Sequence, residues 1–171
     1  MTARLKIIAL AALAAAVASP ALAQSSATVT VNSTGRIISP MTLSKTADLA
    51  FGTIIKPNAG NGTVTIASGA DTVAVTGTGT ASMGTASRAK FTVGGEGGQT
   101  YSVTVPATMT MSNGSNNITV NLTPSATTGT LSGSLGGNGT QTFQVGGNFS
   151  LASTQATGAY AGSFNVTTAY N

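Results

Sequence analysis

The side chains that could carry chemistry are few. The 171 residues hold three carboxylates, Asp48, Asp71 and Glu96, and no His, Cys or Trp. Without Cys or His there is no thiolate nucleophile, no imidazole base, no disulfide framework and no Cys/His zinc site. The three acids lie far apart in sequence, with no Asp-x-Asp loop for calcium and no close pair for two-carboxylate hydrolysis. They read as solvated loop charges. Ser is abundant but has no base to activate it, and no Gly pair continues into the Gly-Lys-Ser/Thr of a phosphate loop. Lys45, Lys56 or Lys90 would form an intramolecular crosslink to Asn only if buried beside that Asn and a catalytic acid, and nothing in the spacing supplies this. The expectation is therefore no catalytic residue, no metal site, no cofactor and no enzyme activity.

Function must then reside in strands and surfaces. Thr, Gly, Ser and Asn make up 79 of the 148 residues from Gln24 onward. Thr suits a pleated surface, whereas Gly and Asn suit turns. No window carries a helical apolar stripe, but alternation with period two recurs. It runs through Ala27, Val29 and Val31, then Val64 and Ile66, Val73 and Val75, Phe91 and Val93. It continues through Tyr101, Val103 and Val105, then Ile118, Val120 and Leu122, then Phe143, Val145, Phe149 and Leu151. Tyr160, Phe164, Val166 and Tyr170 line one face of a last run, read as a single strand over residues 158–171. Asn61-Gly62, Asn113-Gly114 and Asn138-Gly139 are hairpin dipeptides, and the glycines flanking Glu96 read as a further hairpin loop. Eight or more short strands at this spacing predict one all-β antiparallel domain, a sandwich or barrel.

Residues 1–23 read as a cleaved export signal. Arg4 and Lys6 precede the apolar run 7–17, and Ala21-Leu22-Ala23 forms a small-x-small cleavage site. Eleven apolar residues are too few to cross a hydrocarbon core of ~30 Å as a helix. The domain then occupies residues 24–171, with no later helical transmembrane span. Its five cations against three acids leave a net charge of +2, dispersed and without aromatic interleaving, which excludes a nucleic-acid surface. Leu, Ile, Val and Phe number only 28 in that stretch, yet low charge argues for an ordered chain. Its stability rests on packing, since the export compartment's disulfides are forgone.

Two resemblances go further. Residues 36–43 (Arg-Ile-Ile-Ser-Pro-Met-Thr-Leu), 48–54 (Asp-Leu-Ala-Phe-Gly-Thr-Ile), 62–66, 89–95, 101–106 and 145–147 resemble the bacterial secreted family called domain of unknown function 4402. The last run resembles the C-terminal motif of chaperone–usher pilus subunits, with Gly158 fourteen positions from the end and Tyr170 penultimate. That second likeness implies an immunoglobulin-like β-sandwich with one strand missing. It also implies a periplasmic chaperone, an usher, and a homopolymer built by strand exchange. Ala27, Val29 and Val31 are then the candidate donor strand, and Gly158, Tyr160, Phe164, Val166 and Tyr170 the candidate chaperone- or subunit-binding strand. Pilus subunits of this kind usually carry a disulfide, which this chain lacks. The expectation is an exported periplasmic or cell-surface structural or adhesive protein. The competing readings are a self-complete secreted module that binds carbohydrate, with Tyr101 or Tyr160 as platform, and an outer-membrane barrel.

Overall fold

The computed structural model describes residues 25–171 in two units, residues 25–36 and Ile37–Asn171. The expected export signal lies outside the described residues. Residues 25–36 form no helix or strand and every one is exposed. Val29 and Val31 are each 83% accessible. The expected strand at Ala27, Val29 and Val31 is thus an exposed segment without a ladder partner, since alternation supplies a face but not the neighbour that a strand requires.

Ile37–Asn171 folds into twelve antiparallel strands. In chain order these are β1 (Thr42–Ala47), β2 (Thr53–Ile55), β3 (Asn61–Ile66), β4 (Val73–Thr76), β5 (Ala81–Met83) and β6 (Ala89–Glu96). Then come β7 (Thr100–Thr104), β8 (Thr108–Ser112), β9 (Asn117–Pro124), β10 (Thr128–Thr130), β11 (Asn138–Ala152) and β12 (Thr167–Tyr170). The fifteen-residue β11 is the spine. Its first half pairs with β6 (Phe143 opposite Phe91) and its second half with β3 (Phe149 opposite Val64), while β9 pairs with its middle. With β1 beyond β6, β4 beyond β3 and β8 beyond β9, this makes a curled seven-stranded sheet. Strands β10, β7 and β12 form a three-stranded sheet, and β2 pairs with β5. Gly146 lies where β11 changes partner, and a Cβ there would overlap the carbonyl oxygen of Ile66.

The inward positions are those that alternation marked. Val64, Ile66, Phe91, Val93, Tyr101, Ile118, Val120, Phe143, Val145, Phe149 and Leu151 are all buried. Phe91 and Phe143 stack at 5.1 Å between ring centroids, and Phe51 meets Phe149 edge to face at 5.0 Å. Each such pair adds ~0.5–1.5 kcal/mol beyond its buried area.

Three local expectations are corrected. Asn61-Gly62 and Asn138-Gly139 open β3 and β11 inside ladders, and only Asn113-Gly114 occupies a hairpin loop, between β8 and β9. Its φ of 97° falls on Gly114 alone, with no non-glycine residue at positive φ among those described. The glycine-rich stretch at Glu96 is a corner instead of a hairpin, because β6 and β7 belong to different sheets. Finally, residues 158–171 are not one strand. Ala161 bridges to Ser112 at the edge of β8, and only Thr167–Tyr170 pairs with β7. The run crosses from one sheet to another, so a continuous ladder is geometrically excluded. Gly162 makes the close approach to β8, where a Cβ would overlap the carbonyl oxygen of Thr110.

Candidate functional site

Two places in Ile37–Asn171, at opposite ends of β11, bring together side chains from distant stretches of the chain. The first is centred on Glu96, at the end of β6 opposite Asn138. Glu96 is 5% exposed, which corrects its reading as a solvated loop charge. One carboxylate oxygen accepts the Ser39 N–H at 3.1 Å and the other the Gly136 N–H at 2.5 Å. The Tyr170 hydroxyl accepts the Glu96 N–H at 2.7 Å and donates to the Ser39 carbonyl at 3.0 Å. Gly95 makes room for that hydroxyl, since a Cβ there would collide with it. Four stretches distant in sequence are thereby joined: the lead into β1, the end of β6, the loop before β11, and β12. Charge-assisted bonds of this kind are about twice as strong as neutral ones, so the cluster fixes where the chain before Ser39 leaves the domain.

The second place is a groove of about 690 Å³ between β2, the β8–β9 hairpin, the end of β11 and residues 155–160. Phe51, Ile54, Met111, Ile118, Phe149 and Leu151 give it an apolar floor. Its rim is polar and tied down. The Lys56 ammonium donates to the Gln155 carbonyl at 3.1 Å, the Gln155 side-chain amide donates to the Tyr160 hydroxyl at 2.8 Å, and that hydroxyl donates to the Ala156 carbonyl at 2.9 Å.

The candidate C-terminal residues are therefore dispersed. Gly158 and Tyr160 border the groove, Phe164 and Val166 pack against the core, and Tyr170 belongs to the Glu96 cluster. Ala27, Val29 and Val31 lie in the unit 25–36, exposed. The cluster at Glu96 and the groove were missed from sequence. The only signal for Glu96 was a single acid set among four glycines at the end of an alternating run. Phe51 and Ile54 carried no periodic signal at all, because β2 is only three residues long.

Charge elsewhere serves structure. The Lys90 ammonium at 2.6 Å, together with the Arg88 N–H at 3.1 Å, holds the Asp71 carboxyl below its ordinary value of 3.8 and fastens that loop to the start of β6. Burial pushes the Tyr101 phenol up. At 1% exposure Tyr101 cannot serve as a sugar platform. Among the described residues no group of three or more His, Cys, Asp or Glu side chains could hold a metal ion, and no helix is long and apolar enough to cross a membrane.

Fold and sites together define an antiparallel all-β domain with a hydrogen-bonded cluster around one buried carboxylate at one end of β11 and an apolar groove at the other, preceded in the chain by an exposed segment. The chain belongs to the family described as domain of unknown function (DUF4402), which it matches over residues 41–170. No curated protein and no solved structure matches it.

Proposed function

We propose that the chain is an exported structural or adhesive surface protein, a pilus-subunit-like domain that assembles head to tail by β-strand addition. Residues 25–36 of one copy are the donor, and the groove at the end of β11 in the next copy is the acceptor. In this reading the facing sheets act as an immunoglobulin-like sandwich completed in trans. A periplasmic chaperone covers the groove until an usher joins the subunits.

The observation that carries the reading is an alternating, fully exposed segment, uncharged over residues 25–34, in a chain that also has an open apolar groove. Burying Val29 and Val31 stabilises each joint by ~3–6 kcal/mol, at ~1.5–3 kcal/mol per side chain. Such a contact does not close on itself, so it propagates as a fibre.

Light scattering on residues 24–171 over a range of concentrations tests this. Growth of the wild-type chain, abolished by Val29→Asp with Val31→Asp, is expected. Equal growth of the variant overturns the reading. The polar rim of Lys56, Gln155 and Tyr160 supports a second reading, a secreted carbohydrate-binding module, which requires glycan binding that Tyr160→Ala removes.

A further inference from the structure

The loop joining β8 to β9 carries chemistry that assembly does not use. Three Asn-Gly pairs occur in the chain, in very different settings. Gly62 faces Leu151 in the β3–β11 ladder and Gly139 faces Gly95 in the β11–β6 ladder. Both are packed so tightly that a Cβ would overlap a neighbouring carbonyl oxygen, that of Thr76 or Ser132. Asn113-Gly114 lies outside any ladder, and open space surrounds Gly114.

The bonds around this pair supply groups that a reaction could use. The Asn113 Oδ1 accepts the N–H groups of Ser115 at 3.2 Å and Asn116 at 2.8 Å. Two backbone donors on one carbonyl oxygen stabilise the negative charge that develops there when its carbon becomes tetrahedral. The Gly114 N–H already donates to the Ser112 Oγ at 3.1 Å, so the attacking nitrogen has an acceptor for its proton.

We propose that Asn113 is a self-modifying site that deamidates without an enzyme. The Gly114 nitrogen attacks the Asn113 Cγ and forms a C–N bond, its proton passing by way of the Ser112 Oγ to water. The Cγ–Nδ2 bond then breaks, and the amide nitrogen takes a proton from water and leaves as ammonia. The five-membered imide that remains is opened by water at either carbonyl, which leaves aspartate or isoaspartate at position 113. No oxidant or cofactor takes part. The product replaces a neutral amide with a carboxylate beside Gly158, which borders the groove and where a Cβ would stand 3.3 Å from the Asn113 Nδ2.

The purified chain, incubated at mildly alkaline pH and followed by peptide mass spectrometry with isoaspartate methyltransferase labelling, tests the proposal. Asn113 is expected to convert about tenfold faster than Asn61 or Asn138, and faster than in a free peptide of residues 108–119, because the peptide lacks the two fixed donors. Ser112→Ala is expected to slow conversion at Asn113 several-fold while the other two sites stay unchanged. Comparable rates at all three sites, or a free peptide that converts as fast as the folded chain, overturn the proposal. An unchanged rate in Ser112→Ala removes Ser112 from the step.

Discussion

Tyr170→Phe isolates the cluster at Glu96. The change deletes one oxygen and leaves the ring, so packing is preserved. Two bonds are lost, the Glu96 N–H to the hydroxyl at 2.7 Å and the hydroxyl to the Ser39 carbonyl at 3.0 Å. Both backbone groups are in partly buried positions, and leaving a buried polar group unsatisfied costs ~1–3 kcal/mol. Allowing for partial access to water, we expect a loss of about 2 kcal/mol. For a domain of this size that lowers Tm by roughly 5–8 °C. Urea unfolding is the assay, with an unchanged slope showing that stability and not compactness has moved. Tyr160→Phe is the control, because its bonds to Gln155 and Ala156 lie on the accessible rim. Its effect should stay within about 0.5 kcal/mol. Equal effects of the two substitutions, or a Tyr170→Phe change inside that margin, would refute the view that this hydroxyl joins β12 to the lead into β1.

Gly95→Ala pushes a methyl group into the Tyr170 hydroxyl, and overpacking of this kind costs ~1–3 kcal/mol. Combined with Tyr170→Phe it should cost less than the sum, which a double-mutant cycle measures. Phe143→Ala removes the stacked partner of Phe91 from the centre of the long sheet and should cost ~3–5 kcal/mol in chemical denaturation. The Asp71 carboxyl is held below its ordinary value, so its contribution to stability is present above pH 3.8 and lost as pH falls through the lowered value. Asp71→Asn should therefore lower stability slightly near pH 7, since the pair is solvent-exposed, and not at all at the acid end, so that the two stability-versus-pH curves converge as pH falls.

Much of the core was legible, for a simple reason. In β6, β7, β9 and β11 one face is buried, so the period-two pattern in Phe91 and Val93, or in Ile118, Val120 and Leu122, is a direct record of burial. Pairing was not legible, because β11 takes partners from three distant stretches and no local signal names them. The Asn-Gly rule succeeded at residue 113 and failed at 61 and 138, where ladder pairing overrides a turn preference. The alternation of the last run gave the correct inward side chains from Phe164 to Tyr170 but hid the passage between sheets. Glu96 escaped notice because its partners, Ser39 and Gly136, are brought to it only by the fold.

The central claim, that residues 25–36 serve as a strand for a neighbouring copy, is tested most directly by hydrogen exchange of that segment in monomer and assembled fractions. Fast exchange at Ala27, Val29 and Val31 in the monomer and strong protection in the assembly is the outcome we expect. Protection already present in the isolated monomer, or continued fast exchange in the assembly, would contradict it.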